Sequence, residues 1–159
     1  MNIVKNYSVI LLSIASFIAL FVAYAAQYLF MMLPCKLCIY ERIINFIVIG
    51  LFLIHLFRPY KIIFFCMCLC YILNIVISGY HVALEHGWVS DIMGCTDSVK
   101  STTFDDLKNY LLNTSTVVSC GNPNIIFIGL SMAECNFVYC LLCLMLGIHL
   151  FMKQCTRGK

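Results

Sequence analysis

Charged side chains are scarce in this chain: 11% of its 159 residues are Asp, Glu, Lys or Arg, whereas 63% are hydrophobic. A water-soluble domain of this length needs a larger polar surface, so the composition excludes one and predicts an integral membrane protein. The sequence also lacks internal repeats, low-complexity tracts and linkers. We therefore expect a single membrane domain over residues 1–159.

Four segments carry almost no charge, and each is long enough to approach or cross about 30 Å of hydrocarbon. They predict an all-α fold, a bundle of four transmembrane helices. The second segment is short, so we extend it back through Glu41 and Arg42. The predicted helices span residues of about 7–33, 39–57, 62–84 and 125–152.

Glu134 is the one charged residue that interrupts the last predicted helix. At a rise of about 1.5 Å per residue it would lie about 14 Å along that helix from Ile125, near the middle of the membrane. A carboxylate at that depth needs a proton or a hydrogen bond from a neighbouring helix.

The basic residues fall on one side of the four-helix arrangement, and that side is cytoplasmic by the positive-inside rule. Both termini are then cytoplasmic, and the net charge of +3 reflects topology rather than nucleic-acid binding. The opposite side holds a short first loop and a long loop at residues 86–124, between helices 3 and 4. In that loop, the spacing of Phe104, Leu107 and Leu111 predicts a short helix, which either lies in the headgroup plane or packs on its own loop. The basic residues are Lys5, Arg58, Lys61, Lys153, Arg157 and Lys159.

The first segment has an alternative interpretation as a secretory signal peptide, because Lys5, an apolar run and the small residues Ala23 and Ala25 resemble one. The apolar run continues to Leu33, beyond the length of a signal core, and the second helix needs the segment as a packing partner. We favour a retained helix.

Eleven cysteines are present, and only Cys35, Cys38, Cys95 and Cys120 fall on the outer, oxidising side. These four allow two disulfides, either as structural staples or as a relay by thiolate attack, and two pairs on one face favour the relay. The other seven are expected to behave as small hydrophobic residues or to lie in the cytoplasmic tail. Cys66 and Cys70 share a helix face, but no imidazole or charged partner is near in sequence, so we assign no metal site.

Cys38 is placed at the beginning of the second helix, with Arg42 one turn further along the same face. The helix macrodipole and a guanidinium both favour a thiolate. Such a thiolate could pass electrons to an acceptor dissolved in the bilayer, with Arg42 bonding the acceptor's carbonyl oxygen. The alternative for Arg42 is snorkelling to the interface or an ion pair with Glu41.

Three sequence stretches together resemble the disulfide bond formation protein B (DsbB) family, and the resemblance spans nearly the whole chain. They are PCKLCIYER at residues 34–42, GYHVALEHGW at residues 79–88 and FIGLSM at residues 127–132. The resemblance implies a bacterial inner-membrane protein with periplasmic redox cysteines. It also implies that the protein reoxidises a DsbA-like periplasmic thiol oxidase and delivers the electrons to ubiquinone or menaquinone.

The resemblance also implies roles for individual residues. Cys95 matches the cysteine attacked by DsbA, and Cys120 matches the one that then attacks Cys35. Cys38 matches the thiolate in contact with the quinone, and Arg42 and His86 match quinone-binding positions. His81 belongs instead to a YHxxxE pattern found in other members.

Two alternatives remain at this stage. A vitamin K epoxide reductase-like oxidoreductase also combines four helices, a CxxC motif and a quinone, but its active CxxC is expected in the last helix. A non-enzymatic membrane protein with structural disulfides, or a metal or redox sensor, would hold disulfides that never turn over.

Overall fold

Four long helices form an antiparallel bundle in this computed structural model, which describes residues 7–92, 94–95, 119–121, 125–127 and 129–157. Each helix contains a stretch that is apolar and long enough to cross a membrane. The predicted all-α, four-helix membrane fold is confirmed. The helices are α1 (Tyr7–Leu29), α2 (Lys36–Phe57), α3 (Lys61–Glu85) and α4 (Met132–Arg157).

The helices are arranged as a ring in which α2 and α4 each pack against both α1 and α3. The centre of the ring is filled by buried side chains from all four helices, among them Leu12, Val48, Met67 and Cys140. The outer faces carry exposed apolar side chains such as that of Phe21. This distribution suits a bundle in lipid, where the outer surface has no water to face.

One end of the bundle is marked by an aromatic stack between α3 and α4, and the other end by a polar contact of α4. At one end Phe64 of α3 stacks on Phe151 of α4, with ring centroids 4.2 Å apart. The basic turn between α2 and α3 therefore lies at the same end as the basic last turns of α4, as the predicted orientation requires. At the other end His86, which follows α3, contacts Glu134 of α4.

The ends of the first three helices differ from the predicted ones by up to four residues. The first helix ends at Leu29 rather than at residue 33, because Met31 has a positive φ of 53° and Pro34 follows. The second begins at Lys36 rather than at residue 39, with Cys35 as its N-cap. The third differs from its prediction by one residue at each end.

The prediction that the last helix begins at Ile125 is wrong. Residues Ile125–Phe127 (β1) and Leu130–Ser131 (β2) form a short antiparallel hairpin, and Gly129 in its turn has a φ of 83°. The helix begins at Met132, where Ser131 and Glu134 form a capping box. The Glu134 amide N–H donates to the Ser131 hydroxyl at 3.1 Å, and the Ser131 N–H donates to the Glu134 carboxylate at 2.8 Å.

The predicted mid-membrane position of Glu134 is therefore also wrong. Glu134 lies in the first turn of α4, where a carboxylate complements the helix macrodipole. Its Oε1 atom is 2.8 Å from Nε2 of His86, the residue that caps the end of α3, so its partner lies at the end of the bundle. The helix predicted around Phe104, and most of the loop at residues 86–124, lie outside the described residues.

Tyr71 joins α3 to α1 inside the bundle, and its removal tests the packing. Its hydroxyl donates to the Leu12 carbonyl at 2.8 Å and bonds the Ser16 hydroxyl at 3.0 Å, and the residue is 1% exposed. We expect Tyr71→Phe to destabilise the protein by about 1 kcal/mol, because a buried hydroxyl bonded to two partners is lost.

Thermal or denaturant unfolding in detergent measures this effect. Tyr28→Phe is the matched control, since its ring is 68% exposed at the outer surface. Equal stability of the two variants would contradict the role given to Tyr71.

Candidate functional site

The first dithiol is built into the beginning of α2. Cys35 is the N-cap residue, and its Sγ accepts a hydrogen bond from the Cys38 N–H at 3.4 Å. The two sulfur atoms are 3.3 Å apart, near the separation from which a disulfide of about 2.05 Å can form by a small rotation. Cys35 is buried, whereas Cys38 is partly exposed.

The second cysteine pair lies directly against the first. Cys35, Cys95 and Cys120 belong to one buried cluster with Leu37 and Leu84. The Cys120 side chain hydrogen-bonds those of both Cys35 and Cys95. The Cys120 backbone N–H also donates to the Cys95 carbonyl at 3.1 Å. The structure therefore brings all four predicted cysteines together, in the spatial order Cys95, Cys120, Cys35 and Cys38.

Two contacts fix the segment that carries Cys95. The Lys36 ammonium, in the first turn of α2, donates to the Gly94 carbonyl at 2.9 Å. The Ile92 N–H donates to the Tyr80 hydroxyl of α3 at 3.2 Å. Lys36, which lies between the two cysteines of the CxxC motif, therefore anchors the segment that carries Cys95.

The environment of the second pair favours neutral thiols. Burial raises the pKa of Cys95 to about 11, and its hydrogen bond with Cys120 adds to the effect. The hydrogen bond with Cys35 and burial raise the pKa of Cys120 further. At neutral pH the reduced pair therefore carries almost no thiolate, and its nucleophilicity depends on a transient loss of a proton.

His81 lies beneath the first dithiol. Its ring is 3% exposed, and Nε2 is 3.5 Å from Cys35 Sγ. Two buried carboxylates flank the ring: Glu41 Oε1 is 3.6 Å from Nδ1, and Glu85 Oε1 is 3.7 Å from Nε2. An imidazole in this position can exchange a proton with Cys35 while the carboxylates stabilise its charged form.

The sequence indicates His81 only as part of a YHxxxE pattern and does not assign it to the site. The available signal was its spacing of four residues from Glu85, which puts both side chains on one face of α3. Glu41 was considered only as an ion-pair partner of Arg42. In the structure Glu41 turns toward His81, and Arg42 turns the other way.

A cavity of about 360 Å³ begins at Cys38 and extends between α1, α2 and α4. This volume falls within the range of small-molecule sites, about 300–1,000 Å³. Its walls are mostly apolar, and its polar groups come from one side of α2 and from the start of α4. The lining residues from α2 are Cys38, Glu41, Arg42 and Asn45, and those from α4 include Cys135, Asn136 and Tyr139.

Arg42 crosses from α2 to α1 at the wall of this cavity. Its guanidinium donates to the side-chain oxygen of Gln27, and to the Ala23 carbonyl at 3.1 Å. It also lies over the Tyr24 ring, 4.9 Å from the ring centre. These contacts hold the guanidinium at the wall of the cavity that Cys38 also lines.

His86, the other residue predicted to bind the acceptor, is placed elsewhere. It follows the last turn of α3, hydrogen-bonds Glu134 and stacks on Trp88 with ring centroids 4.9 Å apart. Within the part of the chain that the structure describes, His86 does not line the cavity.

Comparison with known proteins gives a family match over most of the chain. The family model of disulfide bond formation protein DsbB matches residues 5–150. The uncharacterized protein RP370 of Rickettsia prowazekii (strain Madrid E) is 30% identical over 162 aligned positions, which cover 96% of this chain and 91% of that protein. No solved structure matches the chain significantly.

The raised pKa of Cys95 predicts slow alkylation of the reduced protein. At pH 8 the thiolate fraction should be about 100-fold lower than that of a cysteine with the ordinary pKa of 9.0, since the pKa is about 11. The reduced, folded protein is alkylated, and mass spectrometry after digestion gives the rate at Cys95. This rate should keep rising with pH until about 11. A cysteine peptide of the same local sequence is the control, and a plateau near pH 9 would contradict this prediction.

Proposed function

The chain belongs to the DsbB family of disulfide bond formation proteins, and on that premise we propose how it works. Family membership makes it a thiol oxidoreductase in a multi-pass membrane setting. We propose that it reoxidises a DsbA-like periplasmic thiol oxidase and passes the electrons to a membrane quinone. The observation that carries the proposal is the unbroken series of contacts from Cys95 through Cys120, Cys35 and Cys38 to the cavity.

The proposed exchange begins with Cys95 and Cys120 as a disulfide. A thiolate of the partner attacks Cys95, breaks the bond to Cys120 and forms a mixed disulfide. The partner's second thiolate then attacks its own bridging sulfur, so the partner leaves as a disulfide. Cys95 and Cys120 remain as two thiols and hold the two electrons.

The same chemistry then moves the electrons inward. The Cys120 thiolate attacks Cys35 in a Cys35–Cys38 disulfide, and Cys38 leaves as a thiolate. Cys95 attacks Cys120, which restores the outer disulfide and releases Cys35. The inner disulfide is restored when two electrons pass to a quinone, which takes up two protons and becomes a quinol. His81 is placed to hold or return the proton of Cys35.

Redox potentials favour a quinone over a soluble thiol acceptor. DsbA has a potential of about −120 mV, whereas glutathione lies at about −220 to −260 mV, so electrons passing from DsbA to glutathione would move uphill by roughly 5 kcal/mol. A more oxidising acceptor is required, and the mostly apolar cavity beside Cys38 suits one that partitions into lipid.

The orientation of the protein follows from the same proposal. The redox cysteines face the periplasm, both termini face the cytoplasm, and the membrane is the bacterial inner membrane. Ubiquinone and menaquinone share the ring carbonyls that Arg42 would bond. The family match favours this function over a vitamin K epoxide reductase-like one, in which the active CxxC belongs to the last helix.

The decisive experiment is quinone reduction by the purified protein supplied with a reduced DsbA-like oxidase. Ubiquinone and menaquinone analogues are tested in parallel, and the reaction is followed by quinone absorbance. Absence of turnover with both acceptors, from protein that retains its helical circular dichroism, would overturn the proposal.

We predict that Cys35, Cys38, Cys95 and Cys120 are each required for turnover. Replacement of any one by serine should reduce quinone reduction to background, because it breaks the series of exchanging sulfurs. Cys66→Ser and Cys155→Ser are the matched controls, since both lie outside the cluster. Full activity in any of the four, or loss in a control with a normal protein level, would contradict the assignment.

Arg42→Ala is predicted to raise the apparent KM for quinone by about 10-fold or more, with a smaller effect on the reaction with the DsbA-like partner. Arg42 lines the cavity, whereas the partner reacts at Cys95. Separate titrations of the two substrates measure this split, and Arg42→Lys tests whether charge alone is sufficient. His86→Ala in the same assay tests the predicted quinone role of His86, and an equal loss on both substrates would contradict the role of Arg42.

A further inference from the structure

We propose that the reduced Cys35 and Cys38 thiols, together with His81, form a binding site for Zn²⁺. The two sulfur atoms and a ring nitrogen of His81 all lie within 4.8 Å of one another. The two sulfurs are 3.3 Å apart, and Cys35 Sγ is 3.5 Å from His81 Nε2. A tetrahedral Zn²⁺ with bonds of about 2.3 Å to sulfur and about 2.0 Å to nitrogen places its ligands about 3.5 to 3.8 Å apart.

Glu41 is placed to stabilise the His81 tautomer that metal binding requires. Ligation through Nε2 requires the ring proton on Nδ1, and Nδ1 faces Glu41 Oε1 at 3.6 Å. Both atoms are buried, and among the described residues neither has a hydrogen-bond partner within normal distance. A small approach of the two would complete the carboxylate–histidine–metal arrangement found behind most zinc-bound histidines.

The donor atoms select the kind of ion. Two thiolates and a neutral imidazole suit Zn²⁺, whereas Mg²⁺ and Ca²⁺ require oxygen ligands. The fourth ligand of a tetrahedral Zn²⁺ would be a water molecule or the Glu85 carboxylate. Glu85 Oε1 is 3.7 Å from His81 Nε2. Cys38 is partly exposed and borders the cavity, so the site has a path to the outside.

Binding involves no electron transfer. Two sulfur–hydrogen bonds break, two zinc–sulfur bonds form, and two protons are released. The oxidised pair has no thiolate to offer, so the ion binds the reduced state only. If the proposed function holds, Zn²⁺ bound here stops turnover by keeping Cys35 and Cys38 reduced, and this consequence alone rests on that function.

Metal titration of the fully reduced protein in detergent, without quinone or partner, tests the site directly. Zn²⁺ is titrated in competition with a chromophoric chelator, and Co²⁺ is used as a spectroscopic probe. We expect Co²⁺ to give thiolate charge-transfer absorption in the near ultraviolet and the visible bands of a tetrahedral ion. Cys35→Ser or Cys38→Ser should remove one bound equivalent per chain, while Cys66→Ser should remove none.

Two further variants test the histidine and its support. His81→Ala should lose the tetrahedral Co²⁺ bands, and Glu41→Gln should weaken Zn²⁺ binding about 10- to 100-fold with unchanged charge-transfer absorption per bound ion. Circular dichroism and thermal unfolding without metal verify that each variant is folded. If His81→Ala is unfolded, the Glu41→Gln result decides, and unchanged affinity there overturns the proposal.

Other outcomes would also overturn it. One is that both Cys35→Ser and Cys38→Ser still bind the same number of metal ions per chain as the unmodified protein. Another is that Cys120→Ser binds one metal ion fewer, which would make Cys120 a ligand. The preformed-disulfide protein should not bind at this site. Because these measurements need no turnover, a protein that binds Zn²⁺ but fails to reduce quinone would refute the proposed function and leave the metal site standing.

Discussion

The contact on which the arrangement depends most is that of the His81 ring with two carboxylates, Glu41 from α2 and Glu85 from α3. Isolated carboxylates are costly inside a membrane bundle, and an imidazole between them reduces that cost. The contact fixes the relative position of α2 and α3 near Cys35. The same ring places a titratable group 3.5 Å from Cys35 Sγ.

The beginning of α2 serves several requirements at once. Cys35 caps the helix, Lys36 holds the segment with Cys95, and the Leu37 backbone N–H bonds the Cys120 side chain. Burial raises the pKa of Cys95, and the hydrogen bond with Cys35 raises that of Cys120. The first turn of α2 therefore contacts both cysteine pairs.

Much of the fold was predictable because lipid imposes simple rules on sequence. Uncharged length revealed four helices, and the CxxC motif with two further cysteines indicated four cysteines that the structure brings together. The start of α4 was missed because apolar residues 125–130 suit a hairpin as well as a helix. The Ser131 and Glu134 spacing of a capping box was the available signal. His81 and Glu41 were missed as partners because their contact joins residues 40 positions apart, and no local pattern encodes it.

The position of Arg42 links the two halves of the site. Its neighbour Glu41 points into the bundle toward His81, while the guanidinium reaches α1 and the cavity. Consecutive residues of a helix point about 100° apart, so one turn of α2 presents the Glu41 carboxylate to His81 and the Arg42 guanidinium to α1, and both residues line the cavity. Cys38 lies one turn before Arg42 and faces the same cavity. The short segment from Cys35 to Arg42 therefore brings the dithiol into contact with both His81 and the cavity.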